Sequence, residues 1–437
     1  AMAGTDILVA NASTLLASMG IDLNAVAGNL AVQNNSSVEA QSGDVQGNAG
    51  TDILLQNVVD ILAFGNVLLA AGNDITQFNN ADVTATNGHV DMDAGINITI
   101  DTLSNNVAGT YVSMLAATGF VRVTTTSSVR AQNASVTGLA GTDLELLDDS
   151  EILGYTDVIL DARDNLTVDS SGGTTSNVTA KNGDILLTAG DDIVISRTAV
   201  IETQDLDYDG TSDRQNTLTI LGDYHKDGND TDIGDGTSIL IEGRILGQNV
   251  LVAGADDADT IEFGNMEELV GHTKIEGRGD EDAIIIDRQP NLTTAHNRPN
   301  HELADRSNGA VQDTIDIDGG DATDRVTINI TGGETAYIIN VVDSGAPNDG
   351  ADELTINGTT DADTFLLRRS FVAYLNQTGV DADDRPVYAT AVERINYDRS
   401  VNGRLTVSSH EGNDEFYVDD NSAITTLDGG EGLDLFQ

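Results

Sequence analysis

The sequence of 437 residues contains no cysteine and no tryptophan. Without cysteine, neither a disulfide framework nor a thiolate metal site can form, so calcium rather than zinc is the expected metal. The lack of tryptophan and an aromatic content of only 4% disfavour a sugar-binding enzyme groove, because such grooves usually stack aromatic rings against their ligand.

Basic residues are scarce. Lysine and arginine total 20 against 72 acidic residues, the formal net charge is -52, and the only basic side chains before Lys181 are those of Arg122, Arg130 and Arg163. This balance argues against a nucleic-acid or anionic-membrane partner, since phosphate binding requires positive charge. A hydrophobic content of 39% is too high for an acidic disordered tail. We therefore expect a folded protein whose charge is neutralised by bound cations.

Long hydrophobic runs are also missing. The most apolar stretch, "NVVDILAFGNVLLAAG" at 57–72, is interrupted by Asp60 and Asn66 and is too short to span a bilayer. No membrane insertion of this segment is therefore expected. The sequence begins with "AMAGTDILV" and ends with "GLDLFQ", in both cases within a repeat pattern, which predicts a segment of a longer protein.

Glycine marks a repeat in the first half of the chain. "GNVLLAAGNDITQ" at Gly65 and "GDILLTAGDDIVI" at Gly183 share one pattern, with looser copies at Gly20 and Gly88. The step between coil starts is nearly constant at first, then longer between Gly88 and Gly119 and looser after that. The predicted starts are Gly20, Gly43, Gly65, Gly88, Gly119, Thr156 and Gly183. A recurring step of about 22 to 23 residues is typical of one turn of a parallel β-solenoid.

Each coil is expected to contain three short strands. Alternation predicts that Val67 and Leu69 point into the bore, and small residues such as Ala85 and Ala180 suit the tight interior of the corners. The fold class is thus all-β, a parallel β-solenoid or β-helix. A β-sandwich array is the alternative, but its strands would not recur with one motif at so regular a step.

The repeat pattern divides the chain into three parts. Residues 1–203 are predicted to form the solenoid, 204–237 an acidic calcium-binding insertion, and 238–437 a more irregular β-rich continuation with a long loop at 287–310. In the last part the motif [Gly/Asp/Ala]-x-Asp-x-Φ, where Φ is apolar, recurs at irregular spacing. We interpret its aspartates mainly as turn formers: Asp259, Asp282, Asp324, Asp352, Asp363, Asp414 and Asp434.

The insertion contains a cation-ligand pattern, "DLDYDGTSDRQN". Asp205, Asp207 and Asp209 alternate, Gly210 allows a sharp turn, and the loop is expected to bind calcium as EF-hand loops do. The remaining predicted ligands of this loop are the carbonyl of Thr211, then Asp213 and Asn216, which takes the place of the usual bidentate glutamate and lowers the expected affinity. A solvated acidic loop is the alternative.

A second acidic stretch, "DYHKDGNDTDIGDG", follows closely. Its short spacing of oxygen donors makes it a candidate for a second calcium site. The predicted ligands are Asp227, Asn229, Asp232 and Asp235, with Asp230 among them.

The sequence "DGGEGLDLF" from Asp428 matches the nonapeptide of RTX proteins, and "DGGDATDRV" from Asp318 matches it with Ala322 in place of a glycine. The chain therefore resembles the secreted, calcium-dependent RTX-type and large repetitive surface proteins of bacteria. The first half is similar to filamentous-haemagglutinin-type repeats of exported adhesins. The resemblance implies calcium between tandem nonapeptides. The copies here are not tandem, and Asp434 is the best ligand candidate among them.

These observations predict a structural or adhesive segment of a large secreted or cell-surface protein, stiffened by calcium. The expected partners are calcium and a cell-surface glycan, a protein or a neighbouring cell. The alternative is a polysaccharide lyase or hydrolase, since such enzymes also use parallel β-helices with paired carboxylates or a basic residue in a groove. Arg368 and Arg369 are the only adjacent cations, and a solvated strand edge explains them equally well. No enzyme activity is therefore expected.

Overall fold

The protein is described by a computed structural model. The structure describes residues 1–170, 173–204, 216–224, 236–264, 266, 268–287, 313–333, 337–346, 349–390 and 392–437. These residues form β-strands and turns and no α-helix. Within them there is no helix of the length and apolarity that crossing a membrane requires.

The chain divides into two compact units. Unit 1 comprises Ala1–Thr219, Tyr224–Asp230 and Gly243–Leu246, and unit 2 comprises Ile220–Asp223, Thr231–Glu242 and Gly247–Gln437. The first strands, all in unit 1, are β1 (Met2–Ala3), β2 (Ile7–Val9), β3 (Thr14–Ala17), β4 (Ile21–Ala25), β5 (Leu30–Gln33), β6 (Ser36–Ala40), β7 (Val45–Ala49), β8 (Ile53–Gln56), β9 (Val59–Ala63), β10 (Val67–Ala71), β11 (Ile75–Phe78), β12 (Ala81–Ala85), β13 (Val90–Ala94), β14 (Ile98–Asp101), β15 (Asn105–Ala108), β16 (Val112–Ala116), β17 (Val121–Val123), β18 (Ser128–Ala131), β19 (Val136–Ala140), β20 (Leu144–Leu146), β21 (Glu151–Gly154), β22 (Val158–Ala162), β23 (Leu166–Val168), β24 (Asn177–Ala180), β25 (Ile185–Ala189), β26 (Ile193–Ile195) and β27 (Val200–Thr203).

Of the later strands, β28 and β30 contain residues of both units and the others lie in unit 2. In chain order they are β28 (Thr217–Leu221), β29 (Ser238–Ile241), β30 (Arg244–Ala253), β31 (Thr260–Phe263), β32 (Glu268–Arg278), β33 (Ala283–Asp287), β34 (Asp313–Gly320), β35 (Arg325–Asn329), β36 (Tyr337–Val342), β37 (Glu353–Asn357), β38 (Thr364–Arg368), β39 (Phe371–Tyr374), β40 (Gln377–Val380), β41 (Pro386–Tyr388), β42 (Glu393–Tyr397), β43 (Arg404–Ser408), β44 (Glu415–Val418), β45 (Thr425–Asp428) and β46 (Leu435–Phe436). Strand β28 falls inside the segment predicted as an insertion, and the predicted loop at 287–310 lies outside the described residues from 288 onward.

Unit 1 is a parallel solenoid with three strands per coil. From β1 to β24, each strand pairs in parallel with the third strand after it, which gives three ladders that begin with β1, β2 and β3 and include β25, β26 and β27. The predicted all-β class and parallel β-solenoid are confirmed.

The core of unit 1 follows the alternation of side chains along each strand. In β10, Val67 and Leu69 are buried while their neighbours are partly exposed, as a strand with one face on the bore requires. Ala85 and Ala180 are also buried, at the ends of their strands. The predictions for these four residues are confirmed. Register pairing stacks equivalent aliphatic residues of successive coils, as in the column Val45, Val67, Val90, Val112 and Val136.

The Ala-Gly step of the repeat is explained by close contact between coils. A Cβ at Gly72 would lie 2.2 Å from the carbonyl oxygen of Gly50, and a Cβ at Gly95 would lie 2.1 Å from that of Gly72. A side chain at Gly72 or Gly95 would therefore collide with the neighbouring backbone, although the equivalent position of other coils holds Ala117 and Arg163.

A second corner uses two consecutive residues in the left-handed conformation. The φ angles are 64° and 59° at Asn57 and Val58. Side-chain amides link this corner from coil to coil: Nδ2 of Asn57 donates to Oδ1 of Asn34 at 3.1 Å, and Nδ2 of Asn79 donates to Oδ1 of Asn57 at 2.9 Å. Asparagine suits the position because it tolerates positive φ better than most residues.

One predicted coil start is wrong. Strand β13 after Gly88 pairs with β16, where Val90 is opposite Val112, so this coil is as short as its neighbours and the next one begins well before Gly119. Gly119 instead precedes β17, which belongs to the ladder of β14. The coil that contains β16 is entered through Thr110 and Tyr111 and lacks, at the position before Tyr111, the glycine from which most other coil starts were predicted.

Unit 2 is also built from parallel ladders, with irregular coil lengths. Strands β29, β31, β33, β35, β37, β43 and β45 form one ladder, and β32, β34, β36 and β42 form another. Strands β38, β44 and β46 also pair in parallel. Strand β39 pairs antiparallel with β38 and β42, and β40 and β41 form a hairpin. The predicted irregular β-rich continuation is confirmed.

Candidate metal centre

Seven aspartates of unit 2 each lie directly before a strand. They are the motif aspartates Asp259, Asp282, Asp324, Asp352, Asp363, Asp414 and Asp434. Because the strands that follow them pair in register, their side chains form two stacks. The long stack contains Asp259, Asp282, Asp324 and Asp352, and the short stack contains Asp363, Asp414 and Asp434.

Hydrogen bonds between coils hold the long stack. The backbone N–H of Asp259 donates to Oδ1 of Asp282 at 2.8 Å, that of Asp282 to Oδ1 of Asp324 at 2.9 Å, and that of Asp324 to Oδ1 of Asp352 at 3.2 Å. The N–H of Asp352 then donates to Oδ1 of Asn402 at 3.2 Å. An asparagine therefore fills the next position of the same hydrogen-bond pattern.

The short stack follows the same rule. The N–H of Asp363 donates to Oδ1 of Asp414 at 2.8 Å, and that of Asp414 to Oδ1 of Asp434 at 3.1 Å. Both carboxylate oxygens of Asp363 have hydrogen-bond partners: the backbone N–H of Thr359 donates to Oδ2 at 2.7 Å and its hydroxyl donates to Oδ1 at 2.8 Å.

Glycine makes room for these carboxylates. A glycine lies five residues before five of the seven aspartates, and a Cβ on it would come within 1.7 to 2.4 Å of the Oδ2 atom of that aspartate. Any side chain at these positions would therefore displace the carboxylate. The pairs are Gly254 with Asp259, Gly277 with Asp282, Gly319 with Asp324, Gly358 with Asp363 and Gly429 with Asp434.

Four of these carboxylates have an oxygen with no hydrogen-bond partner. These are the Oδ2 atoms of Asp282, Asp324, Asp352 and Asp414, whose exposed fractions are 1%, 2%, 5% and 0%. By contrast, Oδ2 of Asp259 accepts from the N–H of Ala255 at 2.8 Å. A buried carboxylate oxygen without a partner is costly, so a cation bound at these oxygens would be stabilising.

Burial raises the pKa of several aspartates of the two stacks, because it disfavours the charged form of the carboxyl. It raises the pKa of Asp282 from 3.8 to about 8, although the N–H of Asp259 opposes the shift. Burial raises the pKa of Asp324 to about 6, and the charge of Asp352 adds to the effect. Burial also raises the pKa of Asp259 and of Asp363.

Asp343, which lies outside the motif, approaches the long stack. One carboxylate oxygen of each of Asp324, Asp343 and Asp352 lies within 4.8 Å of the other two. Asp343 is half-buried, and burial together with the charge of Asp352 raises its pKa to about 7. In the described part of the chain no lysine or arginine forms an ion pair with any of the three. Clustered carboxylate oxygens of this kind are the ligands that hard divalent cations take.

Most ligands predicted from the sequence lie outside the described residues: Asp205, Asp207, Asp209, Thr211, Asp213, Asp227, Asn229, Asp230, Asp232 and Asp235. Asn216 is described and buried, and its Nδ2 donates to the carbonyl oxygen of Gln204 at 2.7 Å. Asp434 is half-buried and is the last member of the short stack. The structure thus brings Asp434 together with Asp414.

The interpretation of the motif aspartates as turn formers captures only part of their role. All of their side chains except that of Asp363 accept a hydrogen bond from a neighbouring coil, and six of the seven are at most 5% exposed. The signal that identifies five of the seven in the sequence is the glycine five residues earlier, as in "GADDAD" and "GRGDED"; Asp352 and Asp414 lack it. Asp343 carries no such signal, because only the fold places it beside Asp352.

Comparison of the chain with models of known protein families, with curated proteins and with solved structures finds no match. Function is therefore inferred from the residues and their geometry.

Proposed function

We propose that this chain is a structural or adhesive segment of a large secreted or cell-surface bacterial protein, and that bound calcium stiffens it. The observation that supports this proposal is the set of four buried carboxylates that each have an unpartnered oxygen, in a chain of net charge -52. Calcium sites of extracellular modules have dissociation constants of roughly 0.1 to 1 mM. Sites of this affinity bind calcium outside the cell and release it inside the cell.

The mechanism is linkage between binding and folding. Calcium binds the folded carboxylate stacks better than the unfolded chain and thereby stabilises the fold, by about 2.7 kcal/mol at a free concentration a hundred times the dissociation constant. It also lowers the repulsion among the acidic side chains. The outer faces of the coils remain for contact with a cell-surface glycan, a protein or a neighbouring cell.

Thermal unfolding tests this function. The melting temperature of the full chain is expected to rise in millimolar calcium and to fall in chelator, with a smaller change in magnesium at equal ionic strength. A melting temperature that is indifferent to calcium and to chelator would refute the proposal.

A polysaccharide-acting enzyme is the second candidate, and one cavity of unit 2 favours it. The cavity has a volume of about 530 Å³ and its lining includes Arg368, Tyr388, Tyr417 and Asp419. The two tyrosine rings offer faces against which a sugar stacks. Arg368 and Asp419, however, form an ion pair with each other, which engages the groups that acid–base chemistry would use.

A panel of acidic and neutral polysaccharides separates the two candidates. Release of reducing ends or unsaturated products that is lost in Tyr388→Ala would support the enzyme. Intact polysaccharides throughout, together with calcium-dependent melting, would support the structural function.

A further inference from the structure

We propose that Asp324, Asp343 and Asp352 form a binding site for one divalent cation of the calcium type, which joins two successive coils of unit 2. This inference names one site for the cation of the proposed function. It rests on the proposed function for the choice of calcium among the hard cations.

The first argument is the state of the ligand atoms. Asp324 and Asp352 are 2% and 5% exposed, and the Oδ2 atom of each has no hydrogen-bond partner. Their other oxygens already accept backbone N–H groups of the stack. Each carboxylate is therefore fixed by one oxygen and leaves the other free to bind a cation, which is how a preformed ligand differs from a solvated acidic side chain.

The second argument is the position of Asp343. Its N–H donates to Oγ of Ser400 at 2.9 Å, and the N–H of the next residue, Ser344, donates to Oδ1 of Asp318 at 2.8 Å. These two bonds hold the backbone on both sides of the Asp343 side chain. Its carboxylate consequently approaches Asp324 and Asp352 as part of an ordered segment that follows β36.

The third argument concerns the kind of cation. The three ligands are all carboxylate oxygens, which hard cations prefer. The three carboxylates each place an oxygen within 4.8 Å of the other two, so one hard cation can contact all of them, and the proposed function decides for calcium. The half-buried Asp343 provides the side from which the ion enters.

The fourth argument is the place of the site in the topology. Asp324 precedes β35 and Asp352 precedes β37, and these strands pair in register with Arg325 opposite Glu353. Asp343 belongs to the same coil as Asp352. A cation held by all three therefore bridges two neighbouring coils and adds a contact to the pairing of β35 with β37.

Two variants of the full chain test the site, Asp343→Asn and Asp352→Asn. Asparagine keeps the shape and an acceptor oxygen of aspartate but removes one charge. Asp321→Asn is the matched control, because Asp321 is exposed and lies three residues before Asp324. Circular dichroism confirms that each variant folds, and Asp352→Asn decides the question if Asp343→Asn does not fold.

Two measurements are made on each protein. Equilibrium dialysis gives the number of calcium ions bound, and hydrogen exchange is followed with and without calcium. In the wild type and Asp321→Asn, calcium is expected to slow amide exchange in β35 and β37 by about tenfold or more. Both site variants are expected to bind one calcium ion fewer and to lose this local protection, while calcium binding elsewhere in the chain persists.

The outcomes separate this site from the proposed function. If calcium raises the melting temperature but both site variants bind as many ions as the wild type, the site is wrong and the function stands. If calcium neither binds nor stabilises the wild type, both are wrong. If magnesium gives the same protection at equal concentration, the assignment to a calcium-type cation is overturned.

Discussion

Replacement of Asp282 by asparagine is expected to remove a large part of the pH dependence of unit 2 in chelator. Asp282 is 1% exposed, and burial raises its pKa in the folded protein to about 8 from an ordinary value of 3.8. Below pH 3.8 the carboxyl carries its proton in both the folded and the unfolded state. Between pH 3.8 and about 8 only the folded state keeps the proton, so the free energy of unfolding falls as the pH rises.

The size of this effect follows from the width of the pH window. Each pH unit within it lowers the free energy of unfolding by about 1.4 kcal/mol, which amounts to roughly 6 kcal/mol over the whole window. Asparagine at position 282 keeps an oxygen for the N–H of Asp259 and has no charge at any pH. Relative to the wild type, the variant is therefore expected to gain roughly 5 kcal/mol between pH 4 and pH 9.

Urea unfolding from pH 4 to pH 9 in chelator measures this difference, and hydrogen exchange in β33 assigns it to unit 2. The charged groups that face Asp282 are Asp259, Asp324 and Asp280. They are present in both proteins, so the difference between the two reports the titration of Asp282 together with its coupling to these three groups. The control is Asp280→Asn, which removes an exposed charge two residues away and leaves a residue that tolerates the φ of 61°. Parallel pH profiles for the wild type and Asp282→Asn would refute the reasoning.

Three further predictions concern the corners of unit 1, and urea unfolding measures each of them. Val58→Asn is expected to stabilise the protein by about 1 kcal/mol, since Val58 is a β-branched residue at a φ of 59° and 45% exposed. A less stable variant would contradict this. Asn57→Asp removes the amide that donates to the coil before it and is expected to lower the free energy of unfolding by about 1 kcal/mol. An unchanged free energy of unfolding would mean that this hydrogen bond between coils does not stabilise the fold. Gly72→Ala places a Cβ 2.2 Å from the carbonyl oxygen of Gly50 and should cost about 1 to 3 kcal/mol. The control Gly379→Ala, where no atom lies within 4 Å of the added Cβ, should be nearly neutral.

The architecture of unit 1 could be predicted because one physical constraint repeats in every coil. A bore that admits one face of each strand forces alternation, as at Val67 and Leu69, and a tight corner forces a small residue, as at Ala85. The error at Gly119 arose where this constraint relaxes. Thr110 fits at a corner where other coils have glycine, so glycine marks a corner without being required at all of them.

The candidate site could be predicted only in part, for a different reason. The motif identifies the aspartates that precede strands, but coil length decides which of them become neighbours. Asp282 and Asp324 are bonded across 42 residues, and Asp363 and Asp414 across 51. No fixed period in the sequence indicates such pairs. Asp343 contributes through the fold alone, and its distance from Asp352 along the chain gives no sign of their contact.

Strand pairing in unit 1 joins each coil mainly to the coils before and after it. A pulling force on one end of unit 1 therefore loads the outermost coil first, and that coil detaches before the next one bears the load. A coil such as the one from Val67 to Val90 releases about 80 Å of extended chain when it detaches. A force–extension trace of unit 1 is accordingly expected to show a series of small ruptures at this spacing. A solenoid that unfolds in this way dissipates mechanical work coil by coil and keeps its remaining coils folded while it lengthens.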